Sequence, residues 1–260
     1  GPGELWRCCE KLTVVAVNDR QRIELQEGFV LSRKPYRETS LLIEILSRNH
    51  GKVALVAKGA RGKRVKWAGL LQPFNLLSLS WTGRSDLQTL TGVEWLGPVL
   101  RLDATRLYCG LYLNELVSRF LHRHDPHPRL FSSYAESLQA LAAAANIERT
   151  LRLFETTLLN EVGYGLQLEY EAEGGQNIEP DKRYAYLPEQ GPVEAARSND
   201  TVSGATLIGL RQKNLEHDDV LSEAKRLLRQ VIAHHLGGKP LQSRALFTSK
   251  RPLTHAAARG

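Results

Sequence analysis

From Glu27 to Trp95 apolar and polar residues alternate in five short runs, Gly28–Ser32, Ser40–Leu46, Lys52–Ala57, Phe74–Trp81 and Leu87–Trp95. A period of two is the mark of strands with one buried face. Turn-forming residues separate the runs: Pro35, Asn49-His50-Gly51, Gly62 with Gly69, and Thr82-Gly83 with Ser85-Asp86. Five strands with a longer third connection predict a small, partly open barrel of the OB-fold type. After Gly97-Pro98 the period lengthens to 3.6 and helices are expected. The first is capped by Asp103, with Leu107, Leu111, Asn114, Val117, Ser118 and Leu121 on one face, and stops at His122-Arg-His-Asp-Pro126. A second carries Leu130, Tyr134, Leu138, Leu141 and Ala145. A third starts at an Asn146 cap, buries Leu151, Phe154, Leu158 and Val162, and ends at Gly163. Residues 166–204 are polar and rich in Gly and Pro, a loop-rich insertion with room for a hairpin about Arg183–Tyr186. Periodicity returns at Thr206, and the strongest helix of the C-terminal part runs from about Asp219 to Leu236, with Val220, Ala224, Leu227, Leu228 and Val231 inward.

The fold class is therefore α+β: an OB-fold barrel over 27–98, then a helical domain over 99–250 with an irregular insertion at about 166–204, and a tail at 251–260. Residues 1–26 are set aside as a leader, because Gly1-Pro2-Gly3 has the look of a tag scar; Lys11–Val17 could still add a strand.

Charge changes this picture at one place. The chain carries 35 Lys plus Arg against 28 Asp plus Glu, but residues 1–100 hold 15 basic and 9 acidic, so nearly all of the excess lies in the first part. Its densest cluster is the third connection, where Lys58, Arg61, Lys63, Arg64 and Lys66 sit with Gly59 and Gly62, and no acidic residue occurs from Ile45 to Ser85. A single-signed surface of this length suits a phosphate backbone, whose neutralisation releases counterions without reading sequence. Arg33, Lys34 and Arg37 of the first turn are companions. Trp67 and Tyr36 lie beside these charges, where they either stack on bases or pack on the surface. Phe74 and Trp81 run in phase with buried aliphatics and are core. A solvated loop that only aids solubility is the plain alternative.

Other chemistry is weak. Cys8, Cys9 and Cys109 form neither a disulfide framework nor a Cys-x-x-Cys pair, which fits a reducing cytoplasm. No apolar run approaches the roughly 20 residues of a membrane span. His122, His124 and His127 lie in a proline-bounded turn beside Arg123 and read as a polar surface turn more readily than as ligands. Gly59-x-x-Gly62-Lys63 lacks the spacing of a nucleotide-binding loop, and Ser222-x-x-Lys225 lacks its companion motifs, so no catalytic residue can be nominated.

Tyr36-Arg-Glu-Thr-Ser40, Val56-Ala-Lys-Gly-Ala-Arg61, Leu71-Gln-Pro-Phe74, Tyr112-Leu-Asn-Glu-Leu116, Phe154-Glu-x-x-Leu-Leu159 leading to Gly163-Tyr-Gly165, and Gly237-Gly-Lys-Pro-Leu241 with Ser243-Arg244 come in one order. Together they resemble the bacterial RecO family over roughly residues 27–250. The resemblance implies binding of single- and double-stranded DNA, annealing of complementary strands, and work with RecR and the single-stranded-DNA-binding protein to load RecA, in the cytoplasm at the nucleoid. It implies a recombination mediator, not an enzyme. Many members hold zinc with four cysteines in the region matching 166–204. This chain has none there, so a thiolate site cannot form, and no cofactor or metal is expected to be needed. An OB-fold RNA-binding protein with a helical adaptor stays open, because phosphates look alike to Lys and Arg, as does a protein-interaction scaffold.

One partner site is expected on the third helix. Arg152 falls on the polar flank of the stripe of Leu151, Phe154 and Leu158, where an apolar groove edged by a guanidinium can take an acidic tail ending in an aromatic residue and pair bidentately with its carboxylate. The resemblance points the same way, since family members bind the acidic C-terminal tail of the single-stranded-DNA-binding protein and the position matching Arg152 is implicated. The alternative is a surface ion pair with Glu148 or Glu155.

Overall fold

The computed structural model describes residues 22–62 and 69–244. Five strands, β1 (Arg22–Tyr36), β2 (Ser40–Ser47), β3 (Gly51–Ala57), β4 (Leu76–Thr82) and β5 (Leu87–Trp95), close a barrel in the order β1-β2-β3-β5-β4. All neighbours are antiparallel except β3 and β5, which pair in parallel over Ala54–Val56. The alternation seen in the sequence places Val30, Ile43, Ile45, Val53, Leu55, Leu77, Leu79 and Trp81 together inside. The Lys11–Val17 segment and the 251–260 tail lie outside the described residues.

Two strands differ from the sequence reading. β1 is fifteen residues long and starts at Arg22, inside the segment set aside as a leader. Its polar beginning pairs with β4 through the backbone and passes a bulge between Ile23 and Gln26, where Leu25 takes φ +51°. Phe74 does not open β4. It sits at φ +73°, donates its N–H to the Val30 carbonyl at 3.1 Å, and packs on the helical core instead of the barrel core.

The helical part comprises α1 (Ala104–Phe120), α2 (Pro128–Ala142), α3 (Ile147–Glu161), α4 (Gly204–Gln212) and α5 (Asp218–His235). Asp103 and Asn146 cap α1 and α3 through side-chain oxygens that accept from the N–H of Arg106 and Arg149. Gly163, at φ +83°, follows α3 in the left-handed conformation that the absence of a Cβ permits. The buried side of α1 is broader than expected: Asn114, Val117 and Leu121 of the expected face are buried. Leu107 of that face is 39% exposed, whereas Cys109, Leu113, Leu116 and Phe120, outside it, are also buried. The helix packs on β1 as well as on α2 and α3, so more than one face is covered and its apolar stripe loses a single period.

The two parts share β1. Along Gly28–Leu31 every residue is buried, because Val30 points into the barrel while Phe29 and Leu31 enter the helical core. The Phe29 ring lies 5.2 Å from that of Phe131 and 5.0 Å from that of Tyr134. Asn114 donates to the Leu31 carbonyl at 2.7 Å and accepts from the Tyr134 hydroxyl at 2.5 Å, so a buried amide is satisfied from both sides of the junction. At the far end of the barrel, the Lys52 carbonyl accepts from His124 N–H at 3.0 Å, and the Lys52 ammonium donates to the Ser118 carbonyl. Gly51 there has φ +64°, and a Cβ would collide with the backbone of Asp125.

The insertion forms a three-stranded sheet of β6 (Arg183–Leu187), β7 (Gly191–Glu194) and β8 (Thr201–Ser203), ordered β7-β6-β8, with β6 and β7 making the expected hairpin. Tyrosine hydroxyls tie the polar loops to it: Tyr184 accepts from Glu179 N–H at 3.0 Å and Tyr186 from Gln167 N–H at 2.9 Å. Glu223 of α5 anchors the sheet. Its carboxylate accepts from Arg183 at 2.6 Å, from Ser203 N–H and hydroxyl at 2.7 and 2.8 Å, and from the Thr206 hydroxyl at 2.7 Å. Burial alone would raise this carboxyl's pKa, but these donors outweigh it and hold it at about 2, below the ordinary 4.5. The resulting stability is full above pH 4.5 and is lost as pH falls from there toward 2. Glu223→Gln is expected to remove roughly 3 kcal/mol at pH 7 and to flatten unfolding free energy across that acid window, measured by denaturant titration at stepped pH.

Candidate nucleic-acid interface and ligand cavity

The β1–β2 turn and the start of the β3–β4 connection meet at one barrel end, because Tyr36 pairs with Ser40 and Leu41 with Ala57. Arg61 clips them together: its N–H donates to the Thr39 carbonyl at 2.8 Å and its guanidinium to the Arg37 carbonyl at 3.3 Å. Arg37 takes φ +52° in the tight turn, with its guanidinium 5.2 Å from the centre of the Tyr36 ring. That contact engages Tyr36 in packing with its neighbour. Arg33, Lys34, Arg37, Lys58 and Arg61 are all exposed, and among the described residues none of them makes an ion pair, although Glu38 shares the turn. The register thus brings Arg37, Lys58 and Arg61 from two sequence segments to one barrel end, whereas Arg33 and Lys34 are consecutive in β1 and project to opposite faces. Lys63, Arg64, Lys66 and Trp67 lie outside the described residues.

The third helix behaves differently from expectation. Arg152 is 2% exposed rather than on a polar flank. Its guanidinium donates to both Glu155 oxygens at 2.7 and 2.6 Å and to Glu148 at 2.9 Å, so the forked edge expected to receive a carboxylate is already filled from within the helix. Nor is this a surface ion pair, since Glu155 is fully buried and also accepts from the Tyr112 hydroxyl at 2.6 Å. Burial opposes the charge on Arg152, and Glu155 more than offsets it, leaving the pKa above its ordinary value. Burial and the Glu155 charge push Tyr112 well above an ordinary phenol. Phe154 is wholly buried in the core near Tyr134 and lines no groove.

A cavity of about 440 Å³ nevertheless opens beside this network. Cys109, Tyr112, Ile147 and Leu151 give it apolar walls, and Lys225, Arg229 and Arg244 add cations beside Arg152 and Glu148. Lys225 is engaged by Glu148 at 2.7 Å. The Nη2 of Arg244 is buried and has no hydrogen-bond partner among the described residues. Burial of an unsatisfied guanidinium nitrogen is costly and is relieved by an incoming acceptor. The residue is placed there by Glu115, whose carboxylate accepts from Gln242 N–H and Ser243 N–H at 2.8 Å each and from the Ser243 hydroxyl at 2.6 Å. Sequence reasoning nominated Leu151 and Arg152, which do line the cavity, but not Arg229 or Arg244. Only the Ser243-Arg244 string pointed to the latter, since nothing in local periodicity brings it to α1 and α3.

Comparison with known proteins gives a consistent result. The family model "Recombination protein O N terminal" matches residues 22–99, and "Recombination protein O C terminal" matches residues 101–245. A protein of Nitrosococcus oceani is 49% identical over 236 residues, covering 89% of this chain and 96% of its own. One of Methylococcus capsulatus is 47% identical over 231 residues, with coverage of 89% and 96%, and one of Haemophilus influenzae is 43% identical over 226 residues, with 86% and 96%. Each of the three is described as a DNA repair protein RecO.

Proposed function

The chain belongs to the RecO family of DNA repair proteins, and from that membership we propose a recombination mediator that binds single- and double-stranded DNA at the basic end of the barrel and anneals complementary strands. In this reading it works with RecR and helps load RecA onto strands coated with the single-stranded-DNA-binding protein, in the cytoplasm at the nucleoid. It acts by holding strands and partners, without a catalytic residue. The observation that carries the DNA reading is the convergence of Arg37, Lys58 and Arg61, exposed and without ion pairs among the described residues, on one barrel end. Lys63, Arg64, Lys66 and Trp67 follow in the sequence of the same connection and are assigned to the DNA site from the sequence alone. No helix among the described residues is long and apolar enough to cross a membrane.

Coated DNA is reached through the partner's acidic tail. The cavity walled by Leu151, Cys109 and Ile147 takes the tail's aromatic residue, and Arg244, with Arg229, takes its carboxylate. Arg152 supports the wall through Glu155 instead of receiving the carboxylate itself. Annealing with bare and coated strands separates the two activities. Arg244→Ala is expected to leave annealing of bare strands unchanged and to lower affinity for the isolated tail peptide at least tenfold, about 1.4 kcal/mol, with a matching loss on coated strands. Unchanged peptide affinity would remove the cavity from the pathway. RNA that displaced single-stranded DNA with a clear excess of affinity would favour the RNA-binding alternative.

A further inference from the structure

Away from the basic barrel end and the α1–α3 cavity, the described residues hold one cluster with metal-binding donors. Glu189, His234 and His235 each offer one ligand atom, and the three atoms lie within 4.8 Å of one another. They come from two elements far apart in sequence: Glu189 stands in the β6–β7 turn at φ +69°, and the histidines close α5. Glu189 Oε1 is 3.1 Å from His234 Nε2. The His235 ring stacks on Tyr164, 4.0 Å between centres and 12° from parallel, which fixes its plane while leaving the ring nitrogens at its edge. Beside them a cavity of about 280 Å³, lined by Tyr164, Gln167, Tyr186, Glu189 and His235, has room for water as a further ligand.

We propose that Glu189, His234 and His235 bind a divalent transition-metal ion of the zinc class, which fastens the β6–β7 turn to the end of α5. Two imidazoles and one carboxylate are a donor set for zinc, nickel or copper and not for magnesium or calcium, which prefer oxygen alone. The negative end of the α5 dipole adds to the attraction for a cation. Bonds of about 2.0–2.2 Å require the donors to close up from their present spacing. Glu189 and His234, at 71% and 46% side-chain exposure, are free to rotate inward. The expectation that the insertion does without metal rested on missing thiolates, and this site uses none. It lies at the surface, so its occupancy tunes the attachment of the hairpin and is not a condition of folding.

The test uses the full chain with Cys8→Ser and Cys9→Ser, which leaves the buried Cys109 as its one thiol, and titrates Zn²⁺ against a chromophoric chelator. One equivalent is expected to bind with micromolar affinity and to raise Tm. His234→Ala with His235→Ala is expected to weaken binding at least tenfold and to abolish the Tm rise. Glu189→Gln, an exposed change that leaves packing intact, should also weaken it. Absence of a saturable equivalent, or binding unchanged in both variants, overturns the proposal. So does binding that survives these changes but is lost on replacing His122, His124 and His127.

Discussion

Glutamate in place of Arg37, Lys58 and Arg61 is expected to lower affinity for single-stranded DNA at least a hundredfold at 0.1 M salt. Each phosphate neutralised on a single strand contributes about 0.7 to the slope of log affinity against log salt, so three contacts account for a slope of about −2 and, at 0.1 M, for about two decades of affinity. Reversing the charges removes the counterion release and adds repulsion. The loss should be equal for all sequences, because backbone contacts carry no base information. All three side chains are exposed, and the Arg61 contact to the Arg37 carbonyl is a single long hydrogen bond, so the barrel is expected to stay folded. Fluorescence anisotropy across a salt series reads both quantities. A slope that stays steep in the triple variant would move the DNA site elsewhere. Adding Lys63→Glu, Arg64→Glu and Lys66→Glu should deepen the loss, at about 0.7 of slope for each residue in contact.

The second large effect is on stability. Arg152→Ala strands Glu155, a fully buried carboxylate, with the Tyr112 hydroxyl as its one remaining hydrogen-bond partner among the described residues. Breaking a buried pair from one side costs about 3–5 kcal/mol, because the remaining charge has lost both water and counter-ion. Denaturant unfolding should show a loss of this size, and annealing of bare and coated strands should fall together at temperatures where the variant is partly unfolded. Replacing the whole network, with Tyr112→Phe, Arg152→Met and Glu155→Leu, removes the stranded charge and should recover most of the loss. A single variant as stable as the parent would mean that water reaches Glu155. Arg152 is therefore a poor probe of tail binding, and Arg244 a better one.

What could be read in advance divides along physical lines. The barrel was legible because five short runs bounded by turn residues carry the strand period, and Asp103 and Asn146 announced their helices because a capping oxygen acts within three residues of its own position. Gly28–Leu31 was legible as a strand, but not as one buried on both faces, since the second cover comes from α1 and α2, a hundred residues on. The same distance hid the second covered side of α1 and sent Phe74 to the wrong core. Arg152 was placed correctly on its helix and wrongly in its environment. Helical geometry sets which neighbours stand at i+3, but not whether Tyr112 of another helix will close over the pair. Arg244 could not be foreseen at all from pattern, because Glu115 fixes it across more than a hundred residues. The string Tyr112-Leu-Asn-Glu-Leu116 turns out to be a row of joints: Tyr112 reaches α3, Asn114 reaches β1 and Glu115 reaches the segment after α5.

The double burial of β1 bears on how far the molecule can stretch. Phe29 and Leu31 plug the helices while Val30 plugs the barrel, and Lys52 and Gly51 are pinned to the turn after α1, so among the described residues the barrel and the helices are joined by continuous packing. If the barrel end holds DNA and the cavity holds the tail, this shared packing ties the two together. A partner that must touch both at once has to supply all the slack in its own tether, and the effective concentration of its tail is set by that tether's length alone. Shortening the tether should therefore reach a sharp limit below which coated DNA is no longer engaged, with no compensating motion on this side.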